Sequence, residues 1–246
     1  MRICAAQLRP VRGDLAVNAA RHLELIEMAV AHRADLVFFP ELSLTGYEPG
    51  LAATLAGSAN DRHLDPFELL SEAHDLFIGV GMPIAAGSGV QVGMVWFSPG
   101  SPRRTYAKQW LHDDELPHFT AGDRQLLLES AGRRLVPAIC YESLRMAHAD
   151  DAAALAADTY LASVAKPAGN LARAMEHYPA VARRHAMYVI MANCVGPSDD
   201  FVSVGQSAAW NDHGALLAQM DAGSEGLVVL DTARGTASVH ELAGSV

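Results

Sequence analysis

Strand-length apolar runs alternate with amphipathic segments along the whole of this 246-residue chain. A first apolar run at residues 1–8 precedes a segment, 15–33, in which apolar residues recur at the three- and four-residue spacing of a helix. A buried strand is predicted at 35–39, and a long helix at 168–185 leads into another strand at 187–194. Because each strand must be covered by neighbouring helices, this alternation predicts an α/β layered fold.

The bulk composition narrows the class of protein. Half of the residues are hydrophobic and 19% are charged, so the chain can bury a sizeable core, and we expect a single domain over residues 1–246. The net charge of −10 argues against nucleic acid and anionic membrane surfaces as partners, because both attract basic faces. We find no apolar run that could span a bilayer and no signal-peptide core at the N-terminus.

Three cysteines, Cys4, Cys140 and Cys194, form an odd set without a close pair, which indicates a reducing, cytoplasmic compartment. Cys4 and Cys194 lie inside apolar strand patterns, so we interpret them as packing residues. Cys140 differs, because the apolar run 136–139 ends at it and polar residues follow at once. This pattern predicts a thiol where a buried strand leaves its sheet, at the mouth of a pocket.

Two further apolar strands also end at a charged residue. Glu41 follows a strand that Pro40 stops, and Lys108 follows a strand at 104–107. A single charged residue is by default a solvated surface group. Open α/β sheets, however, collect ligand-binding groups at strand ends. A carboxylate, an amine and a thiol at three such ends would make a complete set for acyl transfer.

Other chemistries fit the sequence less well. A cysteine hydrolase with a histidine base would use His177 or His185, but no local signature marks either of them. The run 112–115, His-Asp-Asp-Glu, lacks a metal-ligand spacing and is typical of a solvated loop. Gly87-Ser88-Gly89 lacks the strand–turn–helix context of a phosphate-binding loop. These patterns therefore favour neither a metal site nor a phosphate-binding loop.

The segments at these strand ends resemble the motifs of the nitrilase superfamily of carbon–nitrogen hydrolases. The matching segments are Phe39–Tyr47 for the first glutamate motif, Tyr106–Leu111 for the lysine motif, Glu115 with Phe119 and Gly122 for the second glutamate, and Ala138–Glu142 for the nucleophile motif. The similarity continues through residues 188–196, 205–207 and 212–214. Four motifs in this order are far more specific than any one of them.

The resemblance implies an α-β-β-α sandwich that pairs into a homodimer or higher homo-oligomer, and a mechanism without a cofactor. Cys140 would be the nucleophile and Glu41 the general base. Lys108, with the backbone N–H of Tyr141, would stabilise the oxyanion. Glu115 would hold Lys108 and orient the substrate.

We further expect Tyr47, Tyr141 and Glu142 to line the substrate pocket. Members that act on amides of dicarboxylic acids often carry arginine four places after the nucleophile, where this chain has Leu144, with Arg145 one place later. The predicted function is therefore hydrolysis of a small aliphatic amide or N-carbamoyl amine, with release of ammonia or an amine. A true nitrilase and a catalytically idle binding subunit of the same fold are the alternatives.

Overall fold

A computed structural model describes residues 1–87 and 89–243. Ser88, in the Gly87-Ser88-Gly89 segment, and the last three residues of the predicted domain lie outside this part. The helices are Leu15–Ala31 (α1), Ala52–Leu55 (α2), Asp65–His74 (α3), Met146–Ala154 (α4) and Ala168–His185 (α5). The strands are Arg2–Gln7 (β1), Leu36–Phe38 (β2), Phe77–Ala86 (β3), Gly89–Ser98 (β4), Ser101–Ala107 (β5), Leu128–Ser130 (β6), Arg133–Ile139 (β7), Thr159–Val164 (β8), Tyr188–Asn193 (β9), Val195–Ser198 (β10), Phe201–Val204 (β11), Ala208–Trp210 (β12), Leu216–Gln219 (β13), Gly226–Asp231 (β14) and Thr236–Glu241 (β15).

The strands form two mixed sheets and a separate hairpin of β10 and β11. Within the described residues, the strand order is β15-β14-β1-β2-β3-β4-β5 in the first sheet and β13-β12-β9-β8-β7-β6 in the second. Strands β1, β2 and β3 are parallel to one another, and so are β7, β8 and β9. The carboxyl ends of these strands therefore lie at one edge of each sheet.

Three layers of apolar side chains join the sheets and helices. Alternate residues of β1 belong to different layers: Ile3 packs between the sheets, and Cys4 packs with the helices over the first sheet. Helices α1 and α3 cover the outer face of the first sheet, and α4 and α5 cover the second. The predicted α-β-β-α sandwich is confirmed. None of the helices in the described part of the chain has the length and apolarity that crossing a membrane requires.

Sequence patterns locate most of these elements, and the misses have physical reasons. Helix α1 begins after the predicted cap Asp14, whose carboxylate accepts the N–H of Val17 at 3.1 Å. Helix α4 ends at Ala154 because Ala156, two residues later, adopts a left-handed φ of 55°. Strand β15 was not predicted, because an edge strand with alternating polar residues has no apolar run.

The two sheets are joined at the edge where the predicted site residues lie. Cys140 directly follows β7, and its N–H donates to the carbonyl of Ser163 in β8 at 2.9 Å. The hydroxyl of Ser163 donates to the carbonyl of Phe39, just beyond β2, at 2.8 Å. Strand ends of both sheets therefore meet around a single cavity.

Candidate active site

Lys108 and two carboxylates form a buried ionic cluster at this edge. The Nζ of Lys108 lies 2.8 Å from Glu41 Oε1 and 2.5 Å from Glu115 Oε1, and all three side chains are 1% exposed or less. Buried charges are tolerated only when they are closely paired, as these are. Burial lowers the pKa of Lys108, but Glu41 and Glu115 outweigh it and raise the pKa above its ordinary value. Lys108 therefore carries a fixed positive charge.

Glu115 reaches Lys108 because its loop turns back toward the sheet. The hydroxyl of Tyr47 donates to Glu115 Oε1 at 3.1 Å, and the N–H of His112 donates to Oε2 at 2.8 Å. The neighbouring residues of the 112–115 run are exposed. One residue of the predicted solvated loop is therefore buried, and its carboxylate has a partner on each oxygen.

Glu41 keeps one oxygen free. Its Oε1 accepts from Lys108, whereas Oε2 is buried and has no hydrogen-bond partner among the described residues. The pKa of Glu41 is raised to about 7, chiefly by burial. Lys108 lowers this pKa, and the charge of Glu115 raises it. The nearby thiol of Cys140 also lowers the pKa of this carboxyl. Oε2 is therefore free to take a proton near neutral pH.

Cys140 sits on a sharp turn with a left-handed φ of 43°. Such a conformation costs roughly 1–3 kcal/mol in a non-glycine residue and must be held by its surroundings. The carbonyl of Cys140 accepts the hydroxyl of Ser143 at 2.6 Å, and the thiol donates to the carbonyl of Ala165 at 3.6 Å. Burial, followed by the charge of Glu41, raises the pKa of the Cys140 thiol to about 11. The thiol therefore needs a base before it can attack.

Glu142 does not line the cavity, so the prediction that it forms a pocket wall is wrong. It is fully buried, and its Oε1 accepts from the hydroxyl of Tyr106 at 2.5 Å and from the N–H of Ile139 at 2.8 Å. Its Oε2 accepts from the N–H of Gln109 at 2.6 Å. The turn at Cys140 directs Glu142 inward, where it ties the segment after Lys108 to the nucleophile turn.

The cavity between these groups is small. Its volume is about 180 Å³, below the roughly 300–1,000 Å³ of drug-sized pockets, so it suits a small substrate. Tyr47 and Tyr141 line it as predicted, together with Lys108, Glu115 and Cys140. Phe201 packs on the Tyr47 ring, with 5.4 Å between their centroids.

Lys166 also lines the cavity and was not predicted as a site residue. It follows β8 after one intervening residue, and its Nζ lies 3.7 Å from the Cys140 sulfur. The side-chain oxygen of Asn193 accepts the backbone N–H of Lys166 at 2.9 Å. A charged residue at a strand end, the signal that marks Lys108, marks Lys166 as well.

Neither histidine of the alternative cysteine–histidine hypothesis lies in this cavity. His185 faces Asp150, with 3.0 Å between Nε2 and Oδ1. His177 lies in a separate surface depression, and burial together with Lys166 and Arg173 lowers its pKa. Among the described residues, no group of three or more His, Cys, Asp or Glu side chains could hold a metal ion.

The family model of carbon–nitrogen hydrolases matches residues 2–239, and the chain belongs to this family. Among curated proteins, it resembles the glutamine-dependent NAD(+) synthetase of Acinetobacter baylyi, with 26% identity over 89% of this chain and 41% of that protein. The corresponding enzyme of Xylella fastidiosa is 29% identical over 95% of this chain and 45% of its own length. The chain thus spans less than half the length of these relatives.

Solved structures share the fold at low sequence identity. An amidase from Nesterenkonia sp. AN1 superposes with a TM-score of 0.85 and 23% identity, covering 94% of this chain and 92% of that chain. A carbon–nitrogen hydrolase superfamily protein from Xanthomonas campestris gives a TM-score of 0.84 and 20% identity, with 93% and 89% covered. In a variant of the Nesterenkonia amidase, acrylamide has added at the active-site cysteine.

Proposed function

We propose that this chain hydrolyses the carbon–nitrogen bond of a small aliphatic amide or N-carbamoyl amine through a thioester on Cys140. The observation that supports this most is the free Oε2 of Glu41, a buried base beside a thiol that is protonated at neutral pH. The small cavity above Cys140 supports a small substrate.

In the first half-reaction, the sulfur of Cys140 attacks the amide carbon and its proton passes to Glu41 Oε2. Base catalysis of this kind contributes about 10²–10⁴-fold. Lys108 Nζ and the backbone N–H of Tyr141 stabilise the negative oxygen of the tetrahedral intermediate. One such donor is worth about 3–4 kcal/mol of the barrier. The carbon–nitrogen bond breaks, and Glu41 returns the proton to the departing nitrogen.

In the second half-reaction, water attacks the thioester and gives its proton to Glu41. The carbon–sulfur bond breaks, the thiol regains its proton from Glu41, and the carboxylic acid leaves. Glu41 serves both steps because Lys108 holds one of its oxygens and leaves the other free. Glu115 fixes Lys108 from the opposite side.

Glutamine is a second candidate substrate. The curated relatives are glutamine-dependent NAD(+) synthetases, and they match 89–95% of this chain. Hydrolysis of the glutamine side-chain amide follows the same two half-reactions and releases ammonia.

The test is ammonia release by the purified protein from aliphatic amides, N-carbamoyl amines, nitriles and glutamine. Cys140→Ala serves as the blank, and thermal unfolding confirms that this variant keeps its fold. We expect release from an amide or carbamoyl amine by the wild type and none by the blank. Release from nitriles alone would establish the nitrilase alternative, and equal release by Cys140→Ala would refute the mechanism. No release from any of them would favour an idle binding subunit.

A further inference from the structure

Lys166 is a buried cation without an acidic partner. Its side chain is 1% exposed, and within the described part of the chain its Nζ has two hydrogen-bond partners, the carbonyl oxygen of Cys140 at 3.5 Å and the sulfur at 3.7 Å. No carboxylate of a described residue lies within ion-pair distance of it. Both contacts are long for hydrogen bonds, so they leave the ammonium poorly satisfied.

This situation is unusual on physical grounds. Moving an ammonium group out of water is costly unless an opposite charge or several acceptors replace the lost hydration. The chain has 28 acidic residues and only two lysines, Lys108 and Lys166. Lys108 receives two carboxylates and Lys166 receives none. The other positively charged residues are arginines, and both lysines lie at the cavity.

The wall around Lys166 is positive in a protein of net charge −10. Arg173 and Arg145 line the same cavity, and within residues 1–87 and 89–243 neither forms an ion pair. Two acidic residues also line the cavity: Asp114 lies 2.6 Å from His112 Nδ1, and Glu115 is paired with Lys108. The unpaired charges of the lining are therefore positive, and they attract a ligand of the opposite charge.

The position of Lys166 is fixed by the fold. Asn193 accepts the backbone N–H of Lys166 with its Oδ1, and donates with Nδ2 to the carbonyl of Gly205 at 2.7 Å. Pro167 then leads into α5. These contacts fix the backbone from which the Lys166 side chain enters the cavity.

Two anions could complete the site, the thiolate of Cys140 or a carboxylate of the substrate. The thiol is protonated at neutral pH, because burial and Glu41 raise its pKa to about 11. It therefore leaves Lys166 without a counter-ion in the resting state. Arg145 and Arg173, which are exposed and line the same cavity, add positive charge that a substrate carboxylate can meet.

We propose that Lys166 binds a carboxylate of the substrate, so that the chain acts on short amides that carry one. This inference rests on the proposed function. A carboxylate oxygen bound to Nζ lies within about 6.5 Å of the sulfur, since a charge-assisted hydrogen bond is about 2.8 Å long. The carboxylate and the scissile carbon are therefore separated by only a few bonds. In this proposal Lys166 supplies the positive charge for the carboxylate, because the position four places after Cys140 holds Leu144 and not arginine.

The test compares alkylation of Cys140 by iodoacetate and by iodoacetamide, two reagents that differ in one charged group. The sulfur forms a bond to the methylene carbon, iodide leaves, and the thiol proton passes to Glu41. Rates are measured by mass spectrometry of the Cys140 peptide in wild type, in Lys166→Met and in Arg124→Gln. The last variant is the matched control, because it removes an exposed positive charge outside this cavity.

We expect Lys166→Met to lower the iodoacetate-to-iodoacetamide rate ratio by roughly tenfold, the effect of losing one charged hydrogen bond, and Arg124→Gln to leave it unchanged. An equal slowing of both reagents would overturn the proposal, because Lys166 would then act on the thiolate alone. Failure of iodoacetamide to label Cys140 in the wild type would refute the reactive thiol and, with it, the proposed function.

A second measurement needs no variant and covers the case in which Lys166→Met does not fold. Succinamate is expected to protect wild-type Cys140 from iodoacetamide at concentrations roughly tenfold below those of 4-methylpentanamide, its neutral isostere. Equal protection by the two amides would overturn the carboxylate site while leaving the proposed hydrolase function intact.

Discussion

Lys108 and Lys166 are the only lysines of the chain, and they differ in their charged partners. Each is 1% exposed, each follows a strand end, and both line one cavity. Lys108 is neutralised by Glu41 and Glu115, whereas Lys166 faces the nucleophile with no carboxylate from the described residues. The comparison teaches that the partners of a buried charge, and not its burial, indicate its use.

The pairing of Lys108 suits it to the catalytic role that we propose. Its two carboxylates hold it in place, and one oxygen of Glu41 keeps no partner among the described residues, which in the proposed mechanism accepts the thiol proton. The unpaired lysine is suited to recognition, because a ligand can supply the charge that the protein does not. If this division is correct, changes at the two lysines should affect different kinetic quantities.

The largest effect is expected from Lys108→Met. Loss of one oxyanion donor should lower kcat by about 10²–10³-fold for neutral and carboxylate-bearing amides alike. Lys166→Met should instead lower kcat/KM more for the carboxylate-bearing amide than for its neutral isostere. The measurement is a steady-state comparison of succinamate with 4-methylpentanamide. Similar changes in selectivity for both variants would break the distinction between the two lysines.

Lys108→Met also leaves two buried carboxylates facing each other, so its fold must be checked by thermal unfolding. Breaking a buried ion pair costs about 3–5 kcal/mol. The double variant Lys108→Met, Glu115→Gln removes one of the stranded charges and is the control. If it is folded and still turns over either amide at the wild-type rate, Lys108 is not the oxyanion donor.

The next effect concerns pH. Burial raises the pKa of Glu41 to about 7, and only the ionised carboxylate can accept the thiol proton. We expect kcat/KM to rise about tenfold per pH unit below pH 7 and to level off above it. Glu142 also has a pKa that burial raises to about 7, so Glu142→Gln is the control. If the rise with pH disappears in Glu142→Gln, it reports the ionisation of Glu142 and not that of Glu41.

The smallest expected effect is that of Glu142→Gln on the selectivity between succinamate and 4-methylpentanamide. This change places an amide beside the N–H groups of Ile139 and Gln109 and should lower the free energy of unfolding by about 1–3 kcal/mol. Because Glu142 ties the Lys108 segment to Cys140, we expect a lower kcat. The ratio between succinamate and its neutral isostere should be unchanged, since Glu142 does not contact Lys166. A large change in that ratio, measured with denaturation as the stability control, would show that the buried contacts of Glu142 influence the Lys166 side of the cavity.

Much of this site was predictable, because strand ends can be recognised in the sequence. Glu41 and Cys140 follow the apolar strands β2 and β7, whose carboxyl ends lie at the same edge, whereas Lys108 follows β5, a mostly exposed strand that pairs antiparallel with β4. Their catalytic roles, the single domain and the homodimer that the resemblance implies remain predictions. Lys166 also follows a strand end but lies in none of the four motifs, so the sequence does not single it out.

Other features could not be derived from local patterns. The direction of Glu142 depends on the left-handed turn at Cys140, which no sequence signal for a non-glycine residue marks. The burial of Glu115 within an exposed run depends on contacts with Tyr47 and Lys108, which are 68 and 7 residues away in the chain. Both positions are set by tertiary contacts.

The measurement that tests the central claim most directly is intact-protein mass spectrometry after acid quenching during turnover of an amide substrate. We predict an adduct whose mass is that of the amide less ammonia, located on the Cys140 peptide and absent in Cys140→Ala. Turnover by the wild type without such an adduct, or turnover that persists in Cys140→Ala, would contradict the thioester mechanism.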